Sequence, residues 1–148
     1  MNYDVTMDAC RVDVDAVWGL LKKTYWSPSI RRDVVARAIS NSIVVGAFEV
    51  SSGKQVAFAR AVTDRATFAW LCDVIVDEEH RGNDLSTRML DLMFAHPDLQ
   101  TLRRWCLGTR DAHGIYRRYG FVPVAPEQWM ERKLDPSVWS EGRDAALP

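Results

Sequence analysis

Two short stretches carry side chains at a spacing suited to chemistry. The first is Val74-Ile75-Val76-Asp77-Glu78-Glu79-His80-Arg81-Gly82-Asn83-Asp84-Leu85-Ser86. An apolar run enters it and an amphipathic helix leaves it, so the Arg-Gly turn sits just ahead of a helix N-terminus. The first N–H groups of a helix lack intrahelical partners and that end of the dipole is positive, which together suit an anion. Glycine lets the main chain approach, and successive N–H groups can then wrap a pyrophosphate. The same residues also read as an ordinary strand-to-helix turn capped by Asp84. The second stretch is Asp111-Ala112-His113-Gly114-Ile115-Tyr116-Arg117-Arg118-Tyr119-Gly120-Phe121-Val122-Pro123. Ala112, Ile115, Tyr116 and Tyr119 share one helical stripe, and on spacing alone core packing accounts for both tyrosines.

The rest of the chain supplies the frame. Residues 2–8 suggest a short first strand. Asp13 offers a cap, and Val14, Val17, Trp18 and Leu21 give a helix over about 13–24. Tyr25-Trp26-Ser27-Pro28-Ser29 breaks it, and Ser29 is placed to cap a second helix over about 30–40. Ser42–Val50, Gln55–Thr63 and Thr67–Val76 are strand-like with short links, which makes an antiparallel meander. A helix over about 85–95 places Leu85, Met89, Leu92 and Met93 on one face. Arg104–Gly108 follows a helical crossover and should lie parallel to the strand before it. The helix of 111–119 ends at Gly120, and Val122–Val124 with Met130–Leu134 suggest a terminal strand pair. The expected fold is one α/β domain over 1–135, a mixed, mostly antiparallel sheet flanked by helices, followed by a polar tail over 136–148.

Composition narrows the classes. The chain has 148 residues, enough for one domain with a single core. A net charge of −1 gives no electrostatic case for nucleic acid or anionic membrane. The N-terminus is too polar for a signal peptide, and no apolar run reaches membrane-span length. Cys10, Cys72 and Cys106 make neither a disulfide framework nor a CxxC pair, and His80, His96 and His113 lack metal-ligand spacing, so no metal is expected. These features suggest a reducing, cytoplasmic setting.

Taken in order, the V-x-x-x-x-R-G turn, the amphipathic helix, the strand and the A-x-x-x-Y-x-x-x-G-F corner resemble the GNAT superfamily of acyl-CoA-dependent N-acetyltransferases. The strings FARAVTDRATFAWLCDVIVDEEHRG, HPDLQTLRRW and TRDAHGIYRRYGF are similar to a branch of small bacterial members, so the resemblance covers nearly the whole chain. It implies the GNAT fold and transfer of acetyl from acetyl-CoA to a primary amine, on a small molecule or a peptide, with direct attack in a ternary complex. It implies that the pantetheine arm lies where the strand ending at Val76 splays from the strand near Leu107, pairing with the backbone of Val74 and Val76. Main-chain N–H groups of Arg81, Gly82, Asn83, Asp84, Leu85 and Ser86 would hold the pyrophosphate. Tyr116 would protonate the departing thiolate; a phenol of pKa about 10 keeps its proton at neutral pH. Tyr25, Trp26 and Trp70 are candidates for the acceptor-pocket wall, with core packing as the alternative. Homodimers are common under this resemblance.

Two positions depart from the family pattern: Asp84 stands where glycine is usual, and Ser86 where glycine or alanine is usual. A carboxylate beside a pyrophosphate is repulsive, roughly 4 kcal/mol for two unit charges about 4 Å apart at an effective dielectric near 20. A non-catalytic or weakened acyl-CoA-binding module is therefore the alternative function. The general base has several candidates. Asp73 leads them, with a structural ion pair as its alternative reading; Glu78, Glu79 and His113 follow. Arg103-Arg104 and Arg117-Arg118 are candidates for contact with the 3′-phosphate of CoA.

Overall fold

The computed structural model describes residues 1–141. In chain order the elements are β1 (Tyr3–Thr6), α1 (Val14–Leu21), α2 (Arg32–Ser40), β2 (Ile43–Glu49), β3 (Gln55–Thr63), β4 (Phe68–Val76), α3 (Leu85–Phe94), β5 (Arg104–Cys106) and α4 (His113–Arg117). The sheet runs β1-β2-β3-β4-β5. Neighbours are antiparallel from β1 to β4, and β5 lies parallel to β4, as the helical crossover through α3 requires. This is the strand order and crossover that the resemblance implies.

Strand alternation sorts the core into two layers. Val45 and Ala47 of β2 and Ala57, Ala59 and Ala61 of β3 face α3, together with its Met89, Leu90 and Met93. The three alanines are small enough for both methionines to be fully buried there. On the opposite face Val44, Phe58 and Ile75 pack with Val17, Leu20 and Leu21 of α1 and Val35 of α2. Phe58 is completely buried, a side chain whose burial contributes about 3 kcal/mol by area. Among the described residues no helix is long and apolar enough to cross a membrane.

The Asp13 carboxylate caps α1, accepting from the N–H groups of Asp15 and Ala16. Ser29 does not cap α2. That helix starts two residues later behind Arg31 with no side-chain cap, and the Ser29 carbonyl instead accepts the N–H of Glu141 at 2.7 Å. The same return brings Ser140 into a β-bridge with Ile30 and the Trp139 carbonyl onto the Arg31 N–H at 3.1 Å, so residues 136–141 of the expected tail lie against the main domain. The remainder of that tail falls outside the described residues.

The terminal strand pair is not formed: neither Val122–Val124 nor Met130–Leu134 belongs to a strand. Pro123 and Pro126 offer no N–H to a ladder, and a short 3₁₀ turn over Pro126–Gln128 redirects the chain.

Candidate active site

The site begins where β4 loses its second neighbour. β4 and β5 pair only from Phe68–Arg104 to Trp70–Cys106, and beyond that the two strands part. On its other edge β4 carries a bulge: Phe58 faces Ile75 and Arg60 faces Cys72, leaving one more residue on β4 than on β3. The extra residue adopts a left-handed conformation at Asp73, with φ 55°. Such a conformation costs a non-glycine residue about 1 kcal/mol. Two bonds offset it: the Asp73 carboxylate accepts from Arg60 Nε at 2.5 Å and from Trp26 Nε1 at 3.1 Å. Arg60 also donates to Ser42 Oγ at 3.2 Å. The bulge thus ties the loop between α1 and α2 to β4. Past it, the Asp77 N–H donates to the Val56 carbonyl. Backbone alternation then points the main-chain groups of Val76 and Val74 away from β3, into the space that β5 has left.

The turn after β4 is held by side chains. Asp77 accepts from the Glu79 N–H and from Lys23 Nζ at 2.9 Å, and the Lys23 bond holds its carboxyl below the usual carboxylate range. His80 is buried, its Nδ1 2.9 Å from the Tyr3 hydroxyl, and Asn83 Nδ2 donates to the His80 carbonyl at 2.9 Å. Asp77, Glu79 and His80 approach one another, but Asp77 and the His80 Nδ1 are already engaged as described. Gly82 has φ 79° and Asp84 has φ 58°. Asp84 is exposed and makes no side-chain cap to α3. Arg81 leans toward Val76 O and Glu78, and Arg88 donates to the Tyr3 carbonyl, so neither neutralises Asp84 in the described residues. Tyr3→Phe should remove the tie between β1 and the turn and cost about 1 kcal/mol, read as a lower midpoint in urea unfolding.

Three cavities meet along the parted strands. The largest, about 760 Å³, is bordered by Val74–Val76, by Arg81, Gly82, Asp84 and Ser86 of the turn, and by α4. Lys23, Arg81 and Arg118 stand on its border with Asp77, Glu78, Asp84 and Asp111. Lys23 pairs with Asp77 and Arg81 with Glu78, so the free main-chain groups and Arg118 are what suit a phosphate-bearing chain there, and Asp84 opposes it. A cavity of about 330 Å³ continues inward past Trp26, Val74 and Ala112 and is lined by Tyr25, Trp70, Asp73 and Tyr116. A third, of about 670 Å³, opens beyond it between Trp70, Phe121 and Trp129. Tyr116 borders both the second and the third. Burial pushes the Tyr116 hydroxyl above the usual tyrosine range, with Tyr25 adding to the effect. Burial pushes the Cys72 thiol up to about 12, against the pull of Arg60.

Residues 40–123 match the family model for the acetyltransferase (GNAT) domain, more than half of the chain. The chain belongs to the GNAT acetyltransferase family. A solved structure from Xanthomonas campestris pv. campestris, assigned to the GNAT family, is 45% identical and superposes with a TM-score of 0.85 over 90% of this chain and 94% of that one. An acetyltransferase described from Gibberella zeae is 26% identical over 110 residues, and this match spans 62% of each protein's length. A Clostridium acetobutylicum acetyltransferase solved with acetyl-CoA shares the fold at 19% identity and a TM-score of 0.65, over 93% of this chain and 97% of that one.

Within this GNAT protein the expected site residues fall into distinct places. Val74, Val76, Arg81, Gly82, Asp84 and Ser86 border the large cleft, and Tyr25 and Trp26 border both it and the second cavity. Trp70, Asp73 and Tyr116 line the second. Asn83 turns its side chain back onto the turn, and the Leu85 side chain is buried in the core, so only their main chains can face the cleft. Arg118 reaches the rim and Arg117 the third cavity, whereas Arg103 and Arg104 sit beside the start of β4, at the far end from the turn. Arg60, Lys23 and Trp129 are site residues that the sequence reading passed over. An arginine between Ala59 and Ala61 in an apolar strand demands a carboxylate partner, and that signal was available.

Proposed function

We propose that this protein is an N-acetyltransferase that moves the acetyl group of acetyl-CoA to a primary amine by direct attack, with Tyr116 as the general acid. The observation that carries the reading is the position of Tyr116. It borders the second and third cavities, and the second opens onto the gap edged by Val74 and Val76. Acetyl-CoA supplies an activated thioester. The main-chain groups of Val74 and Val76, the turn of residues 81–86 and Arg118 would hold it. The Val74 N–H is suited to polarise the thioester carbonyl. Tyr116 keeps its proton across the neutral range and can give it to a thiolate. The ammonium releases one proton to water, the neutral amine attacks the thioester carbonyl, and the C–S bond breaks as Tyr116 protonates the thiolate; the surplus proton on the new amide nitrogen then restores the tyrosine. Asp73 faces the second cavity, but Arg60 and Trp26 already occupy its carboxylate, and these contacts favour the ion-pair reading over the role of base.

The test pairs calorimetry with acetyl-CoA and a free-thiol release assay over a panel of amines. Binding with amine-dependent thiol release is expected; binding without release from any amine would replace the enzyme with an acyl-CoA-binding module. Asp84, left-handed and without a side-chain cap or ion pair among the described residues, is the observation that favours that second reading.

No cysteine takes part. Cys72 lines the second cavity, yet its thiol is held protonated far above neutral pH, so it is a poor nucleophile. Cys72→Ala should leave kcat within about twofold of the parent. A loss of more than about 100-fold with unchanged unfolding would install a covalent route instead.

A further inference from the structure

We infer that the acceptor is a monocationic amine carrying an aromatic or similarly flat apolar body, and that Trp129 sets this preference. The inference rests on the acetyltransferase reading of the same site. Two aromatic pairs flank the second cavity. Tyr25 and Trp26 meet edge to face at 4.9 Å, and Trp70 stacks on Trp129 at 5.7 Å with ring planes 19° apart. Trp26 and Trp129 are each 40% exposed, so their rings present apolar surface to solvent, Trp26 at the second cavity and Trp129 at the third. A ligand body that covers them gains burial and ring–ring contact.

Charge selects among amines. The charged residues lining the second cavity are Asp73 and Asp111, both acidic. Arg60 already neutralises Asp73, so the ring faces and the exposed Asp111 are what favour an ammonium there. Arg110 lies over the Tyr25 ring, its guanidinium carbon 3.7 Å from the centroid, and places a positive charge at the outer edge. A second or third ammonium on the acceptor would meet that charge. Polyamines therefore fit poorly, glucosamine 6-phosphate offers no flat apolar body to cover the rings, and a ring-bearing amine with a single charge fits well.

Trp129 is the informative position. It arrives from the irregular segment after α4, touches Trp70 from outside and lies at the border of the third cavity, away from the acetyl-CoA cleft. Thiol release should give phenethylamine a kcat/KM at least about tenfold above those of spermidine and glucosamine 6-phosphate. Trp129→Ala should raise the phenethylamine KM about fivefold while kcat and the acetyl-CoA Kd hold, and Trp129→Phe should restore most of the loss. If acetyl-CoA binds in calorimetry but spermidine or glucosamine 6-phosphate is turned over as well as phenethylamine, the inference is overturned. An unchanged KM in Trp129→Ala overturns it as well. If acetyl-CoA binds and no amine is turned over, saturable quenching of indole fluorescence by phenethylamine alone supports the pocket assignment, and no quenching removes it. No heat with acetyl-CoA would end the underlying reading and this inference together.

Discussion

Tyr116→Phe is expected to lower kcat by about 100- to 1000-fold while the acetyl-CoA Kd and the unfolding midpoint change little. General-acid groups contribute in this range, equivalent to about 3–4 kcal/mol of barrier. The substitution is clean for structural reasons. The ring packs edge-on to Phe121 with centroids 6.1 Å apart, and its hydroxyl makes no side-chain hydrogen bond among the described residues. Removing the oxygen therefore leaves the packing and orphans no partner. The pH dependence carries a second signature. Burial raises the Tyr116 pKa above the usual value of about 10, so the acid form persists through neutral pH and is lost only in alkaline solution. The parent rate should fall on that alkaline limb, and the phenylalanine variant should lack the part of the fall that Tyr116 causes. A kcat within about threefold of the parent would remove Tyr116 from the chemistry and leave it as a wall of the two cavities.

The frame around Tyr116 was legible in the sequence because its signals are local. Apolar alternation marked β2 to β4, Asp13 marked the start of α1, and the Arg-Gly turn marked the passage from β4 to α3. The parallel placement of β5 followed from the crossover. What was not legible comes from contacts between distant residues. The bulge at Asp73 has no periodic signature, since the partners that hold it, Arg60 and Trp26, come from distant parts of the chain. The expected strands after Gly120 relied on Val122, Val124, Met130 and Leu134, all of which remain exposed. Pro123 and Pro126 outweighed that β-branched and apolar pattern. The same failure hid Trp129, whose stacking on Trp70 depends on an irregular path that no hydrophobic period encodes.

Asp84→Gly is expected to tighten acetyl-CoA binding about 30-fold, about 2 kcal/mol, and to raise stability by about 0.5–1 kcal/mol. The two effects have separate causes. Asp84 sits at φ 58°, a conformation glycine adopts without the steric cost of a Cβ, and its side chain makes no cap that the change would sacrifice. That gain belongs to the fold, exceeds the few tenths of a kcal/mol of charge–dipole interaction that the exposed carboxylate gives up, and is present with or without ligand. The affinity gain belongs to charge. The carboxylate stands at the N-terminus of α3 on the border of the large cleft, where it occupies the favourable end of the helix dipole in place of a phosphate. Asp84→Asn separates the causes: it should recover most of the affinity and little of the stability, because asparagine removes the charge but keeps a side chain in the left-handed region. Salt offers an independent check, since raising ionic strength screens the repulsion. The advantage of Asp84→Gly over the parent should shrink between low and high salt. Equal or weaker acetyl-CoA affinity in calorimetry at low salt would show that Asp84 is tolerated by the cradle. The reading of this protein as a weakened binder would then lose its main support, while the Tyr116 prediction would stand on its own.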